Sequence, residues 1–185
     1  DKIFADVAIV DPYFIKNSPH KIIKDSAIDA GAQANEGDDS KLSNPYTKLL
    51  CENAFNILEN AILNQRYEKL PLGSLLCGLG FGNSSTTLGH ALSYVYSNEG
   101  FSHGHASAYT TQIAHEFNKS KFYEKFKKIV EKLNFEPIFL KQNLHIAAST
   151  IMLDRKHLDN NTRIITKEIV IKLLENINNK IYKTE

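Results

Sequence analysis

The chain has 185 residues, 22 basic and 21 acidic side chains, a formal net charge of +1, 42% hydrophobic residues and 23% charged ones. That balance fits a folded globular chain and excludes a disordered one, and near-zero charge argues against a nucleic-acid binder, which carries a basic excess. The length predicts one domain whose core needs neither disulfide nor structural metal, and no apolar run approaches the ~20 residues of a spanning helix, so no membrane contact is expected.

Residues Ala5-Asp6-Val7-Ala8-Ile9-Val10 read as one short strand, stopped by Asp11-Pro12. A lone strand cannot form a sheet, so it must pair with another chain or with a further part of this one. Ser18-Pro19 predicts a helix start, with Ser18 as cap, and the helix runs to about Glu36. Residues 37–43 read as a polar loop. Asn44-Pro45 opens a long helix whose Leu50, Ala54, Ile57, Leu58, Ala61 and Ile62 recur at helical spacing. Pro71 starts the next element, and the small apolar residues 72–82 suggest a closely packed buried helix or a bend. Ser84 to Thr87 and Gly89 lead into His90, and residues 100–104 break the pattern. A helix from about His103 to Phe117 follows, then an amphipathic one marked by Phe122, Phe126, Ile129, Val130 and Leu133. The lysines between Lys119 and Lys132 alternate with Glu124 and Glu131, the pattern of a solvated helix face. Pro137 opens a further helix, Asp159-Asn160-Asn161 reads as a turn, and Thr166-Lys167-Glu168 starts the last helix.

The expected fold class is all-α, a bundle of seven to nine helices with one short N-terminal strand. The chain opens on Asp1 with no secretory signal, so a fragment or processed product is expected. Cys51 and Cys77 stand far apart and outside any CxxC pattern. They point to a reducing, cytoplasmic setting and read as buried thiols acting as small hydrophobes.

Three places hold potential metal ligands. Asp29 and Gln33 are four apart and share a helix face, with Glu36 three further on. His90 follows a glycine, and His103-Gly104-His105 sits at a predicted helix start. One carboxylate and two imidazoles on separate helices suit a mid-series divalent ion, and three protein ligands leave a coordination position open. The bland alternative is a set of satisfied polar groups, with Asp29 as a structural acceptor.

Read together, these stretches resemble the iron-containing alcohol dehydrogenase family, including its glycerol dehydrogenase branch. The resemblance is to the C-terminal helical domain, which shares its architecture with dehydroquinate synthase. Residues 5–12 look like the family's strand at the domain junction, and residues 26–36 resemble its D-A-x-x-H-x-x-E helix. Ser43-Asn44-Pro45 and its long helix, Gly89-His90-Ala91-Leu92-Ser93, residues 102–108 and residues 159–168 resemble further family elements in the same order. The resemblance implies residues 1–16 as an inter-domain strand or linker and residues 17–185 as the helical metal-binding catalytic domain. It implies that Asp29, His90 and His103 bind Fe2+ or Zn2+. The ion would polarise a small alcohol or aldehyde while a nicotinamide exchanges hydride with the adjacent carbon.

Gln33 stands where iron-binding members place a further histidine. The glycerol dehydrogenase branch lacks that histidine and resembles a three-ligand zinc site. Gln33 is a candidate metal ligand through its amide oxygen, but a carboxamide ligates weakly, so it is expected at the edge of the substrate pocket or behind the ligands as a hydrogen-bonding support. Tyr94 replaces another family histidine one turn after the ligand His90, so its hydroxyl is a candidate to orient substrate or pass a proton, with packing as the alternative. His105, two residues past a ligand, is a candidate proton relay. Ser107 replaces an asparagine of the family pattern. Asn83, Ser85 and Thr86 are candidates to hold the ligand imidazoles by nearness in sequence alone. His20, His115, His145 and His157 read as structural or surface residues.

Nothing matches the family's N-terminal nucleotide-binding domain: Gly78-Leu79-Gly80-Phe81-Gly82 has the wrong spacing and no preceding strand. The resemblance thus implies that NAD or NADP is bound by that domain, which is absent from this chain, and it allows assembly into homo-oligomers. Two other readings stay open: a non-catalytic helical metal-binding or interaction domain, and a dehydroquinate synthase-like lyase.

Overall fold

The computed structural model describes residues 5–179. Among them run nine α-helices: α1 (His20–Asp39), α2 (Pro45–Leu63), α3 (Leu70–Phe81), α4 (Leu88–Asn98), α5 (His103–Asn118), α6 (Tyr123–Leu133), α7 (Leu144–Ile151), α8 (Arg155–Asn160) and α9 (Lys167–Asn179). Short 3-10 turns occupy Pro12–Ile15 and Tyr67–Lys69. No helix of the described residues is long and apolar enough to cross a membrane.

The expected N-terminal strand is not formed. Residues 5–10 run without regular structure, and Val7 and Ile9 are exposed, because no second strand of the described residues offers them a ladder. The polar loop expected from residue 37 begins later, since α1 continues to Asp39. Gly37 there lies against Phe81 and Cys51, so the segment is a helix crossing and not a turn. Pro137 does not open a helix. The amides of Lys141 and Gln142 are taken by the Glu99 carboxylate and that of Leu140 by Asn178, which holds the segment extended until Asn143 caps α7. The turn expected at 159–161 is shifted, with Asp159 and Asn160 closing α8.

Two apolar clusters form the core. One joins α1, α2, α3 and α6 through Ile28, Phe55, Leu58, Cys77, Phe126 and Ile129. The other joins α4, α7 and α9 through Leu88, Leu92, Tyr96, Ile151, Leu174 and Ile177. Helix α5 belongs to both, giving Ala108 to the first and Ala106, Ile113 and Ala114 to the second. Cys51 and Cys77 are free and buried, as small hydrophobes are, and burial pushes the Cys51 thiol up to about 12.

The C-terminal end of α1 carries Asp38 and Asp39 against the helix dipole. Burial, with the neighbouring Asp38 charge added, pushes the Asp39 carboxyl up to about 6, and its Oδ2 is buried without a hydrogen-bond partner. Buried His115 lies 4.0 Å from Asp39 and offers no counter-charge, because burial drives its imidazole down to about 4 and leaves it neutral. The folded chain therefore keeps a proton on Asp39 that the unfolded chain releases near its ordinary value. Stability from this group is lost as pH rises from about 4 to about 6. Asp39→Asn should leave stability unchanged near pH 4 and raise it by roughly 2–3 kcal/mol at neutral pH. Denaturant unfolding at both pH values measures this, and equal gains at the two would contradict it.

Candidate metal centre

Helix α1 presents Asp29, α4 presents His90 and α5 presents His103. Each offers one ligand atom, and the three atoms lie within 4.8 Å of one another. Asp29 Oδ1 is 3.2 Å from His103 Nε2 and 3.6 Å from His90 Nε2. The side chain of His90 is buried, whereas that of His103 is 36% exposed, so the cluster opens to solvent on the α5 side.

Glycines permit this convergence. A Cβ on Gly104 would fall 2.0 Å from the carbonyl oxygen of Asp25, so the start of α5 touches the backbone of α1. The Ser102 hydroxyl bonds the Asp25 carboxylate at 2.7 Å at the same crossing. Asp25 lies one turn before Asp29, which brings the neighbouring His103 to the carboxylate. A Cβ on Gly89 would meet Thr111 Oγ1 at 2.7 Å and Glu36 Oε1 at 2.8 Å, so α4 starts equally close to α1 and α5. Asn160 ties down the loop before α4 by donating to the carbonyls of Ser84 and Thr86.

Both imidazoles are held from behind. Glu36 Oε2 accepts from His90 Nδ1 at 2.5 Å, which leaves Nε2 facing Asp29. The Ser93 hydroxyl donates to the His90 carbonyl and lies 3.4 Å from His103 Nδ1, where its oxygen accepts. Asn83, Ser85 and Thr86 do not hold the imidazoles, and Glu36 and Ser93 take those places. The signal for Glu36 was its position two turns after Asp29 on one helix face.

Asp29 carries its own supports. Gln33 Nε2 donates to Oδ2 at 2.8 Å, and the Ser107 hydroxyl reaches Oδ1 at 3.4 Å. Gln33 thus turns its donor to the carboxylate and its oxygen toward the Cys77 thiol. Of the roles expected for Gln33, this arrangement matches support of a ligand and not ligation through the amide oxygen, which points away from the two histidines' carboxylate partner. Tyr94 stacks on His103 with ring centroids 5.7 Å apart. His105 points elsewhere, with Nε2 bonded to the Glu136 carbonyl and its ring stacked on Phe135. That contact removes it from the expected relay position.

The electrostatics favour a cation. Burial works against charge on His90, but the Glu36 and Asp29 carboxylates outweigh it and push the imidazole up to about 9. Burial likewise opposes ionisation of Asp29 and Glu36, yet the imidazoles hold Asp29 well below the usual range and Glu36 down to about 2. His90 Nε2 is buried without a hydrogen-bond partner. Such an orphaned atom in a ring of one carboxylate and two imidazoles fits a mid-series divalent ion.

Comparison with known proteins shows the family and the fold. The family described as "Fe-containing alcohol dehydrogenase family, C-terminal" matches residues 24–152. The 4-hydroxybutyrate dehydrogenase of Clostridium kluyveri is 31% identical over 118 residues, which cover 58% of this chain and 32% of that protein. The sulfoacetaldehyde reductase of Bifidobacterium kashiwanohense, solved with NAD+, superposes with a TM-score of 0.83 at 22% identity, covering 96% of this chain and 55% of that one. An iron-containing alcohol dehydrogenase from Thermococcus thioreducens gives a TM-score of 0.86 at 19% identity, covering 95% and 55%. The chain spans about a third of the curated relative and about half of these solved chains. On the extent of the family match, this chain belongs to the iron-containing alcohol dehydrogenase family and corresponds to its C-terminal helical domain.

Proposed function

We propose that this chain supplies the metal-holding half of an alcohol dehydrogenase active site, with Asp29, His90 and His103 as ligands of Fe2+ or Zn2+. The observation that carries this reading is the convergence of three donor atoms from three helices around a buried, unpartnered His90 Nε2. When bound, the ion supplies a Lewis acid beside the oxygen of a small alcohol or aldehyde.

The protein residues do the rest by position. Gln33 occupies Asp29 Oδ2, leaving Oδ1 to face both histidines. The carboxylate offsets part of the cation's charge, and two neutral imidazoles leave it electron-poor. Tyr94 walls the exposed side of His103, where a substrate enters. The hydride partner, NAD or NADP, is bound by an N-terminal nucleotide-binding domain packed against this one, in a cytoplasmic homo-oligomer. The names of the relatives favour small alcohol–aldehyde pairs as substrates.

Elemental analysis after loading with Zn2+ or anaerobic Fe2+ should find about one ion per chain. His103→Ala should bind none while its circular dichroism is unchanged. A stoichiometric ion retained by that variant would refute the ligand set. A protein that joins this chain to a nucleotide-binding domain should oxidise small alcohols with NAD or NADP, and absence of turnover across such a screen would favour a non-catalytic metal module.

A further inference from the structure

The Glu36 carboxylate is buried, and five donors converge on it. Oε1 accepts from the Gly89 amide at 2.6 Å and the Thr87 hydroxyl at 2.8 Å. Oε2 accepts from the amides of Thr87 and His90, both at 3.3 Å, and from His90 Nδ1 at 2.5 Å. The Thr87 side chain, at the N-cap of α4, makes no capping bond of its own. A carboxylate from α1 therefore caps α4, meeting amides that would otherwise be orphaned in a buried place.

We propose that Glu36 is a positioning residue that fixes the helix bearing His90 and the tautomer of its ring, through one carboxylate shared between the α4 amides and Nδ1. This inference rests on the metal-site reading above. A carboxylate is acceptor-only, so it demands a proton on Nδ1 and keeps the Nε2 lone pair free for a cation. Glutamine of the same shape would break that logic. Placing its NH2 at the Oε1 position would set it against the Gly89 amide at 2.6 Å. At the Oε2 position the NH2 faces the amides of Thr87 and His90 at the longer distance of 3.3 Å, so it is better placed there. In that place it weakens the α4 cap, donates to Nδ1 and forces the ring proton onto Nε2.

The experiment compares wild type, Glu36→Gln and Thr87→Val, using the 185-residue chain and Zn2+ in competition with a chromophoric chelator. Glu36→Gln should keep its helical circular dichroism and lose roughly 10- to 100-fold in Zn2+ affinity, the usual effect of removing a ligand's hydrogen-bond partner. Thr87→Val removes a donor to the same carboxylate but not the His90 bond, so it should lower the melting temperature and leave affinity within about twofold of wild type. Nitrogen-15 NMR of the Zn2+-loaded wild type should find the His90 proton on Nδ1. Unchanged affinity in folded Glu36→Gln, an equal loss in Thr87→Val, or coordination through Nδ1 would each overturn the proposal. If Glu36→Gln does not fold, the wild-type tautomer decides it. Failure of the wild type to bind Zn2+ would overturn the metal reading itself, and this inference with it.

Discussion

Gly104→Ala should melt at a temperature lower by about 10 °C and lose its bound metal. The added methyl meets the carbonyl oxygen and carbon of Asp25 at 2.0 and 2.5 Å, and both are backbone atoms of a long helix that cannot rotate away. Helix α5 must therefore withdraw from α1. Overpacking of a well-packed contact costs about 1–3 kcal/mol and sometimes more. For a domain of this size, about 3 kcal/mol lowers the melting temperature by roughly 6–12 °C. His103 is the adjacent residue, so the withdrawal also takes Nε2 away from Asp29, 3.2 Å distant in the native arrangement. Calorimetry and metal analysis measure both effects. A variant with native melting temperature and native metal content would show that α5 does not depend on this close approach.

Asp29→Ala should abolish metal binding and still fold. It removes the only carboxylate of the donor set, so the loss should exceed the roughly 10- to 100-fold expected for supporting residues. Folding survives because His90 keeps its bond to Glu36 and the helices keep their apolar contacts. Gln33 and Ser107 lose their acceptor, and Gln33 is only half-buried. The metal-free variant should nonetheless be less stable than metal-free wild type at neutral pH. The two imidazoles hold the Asp29 carboxyl below its ordinary range, so its contribution is present above about pH 4 and disappears as pH falls below that. Chelator competition and denaturant unfolding test the two parts. Measurable stoichiometric binding by Asp29→Ala would remove Asp29 from the ligand set.

Local chemistry made several elements legible. Asn44-Pro45 announced α2, and in the structure Asn44 accepts from the amides of Tyr46 and Thr47 while Thr47 bonds back. Thr166 accepts from the Ile169 amide at the start of α9, where the sequence placed a helix start. The amphipathic period of residues 122–133 marked α6, whose Phe126, Ile129, Val130 and Leu133 are buried. Asp29, His90 and His103 stood out by residue type and by the family resemblance.

What was not legible depended on partners distant in sequence. Nothing local to Pro137 indicates that Glu99 and Asn178 will take the amides after it. Nothing local to residues 37–39 indicates that Phe81 and Cys51 will pack against the helix there. The holders of the histidines were sought beside His90 and lay partly on α1, one helix away in space. Gln33 is chemically able to ligate, and only the direction of its amide toward Asp29 gives it a supporting role. The strand signal of residues 5–10 was real as propensity, but propensity without a ladder leaves those residues uncovered.

Because α1 is rooted in one apolar cluster and α4 in the other, the three donors straddle the seam between them. A cation seated there would rivet two halves that otherwise meet mainly through α5. On the metal-site proposal, the ion's binding energy would count toward keeping the halves closed, so that depletion of the metal would shorten the life of the folded chain.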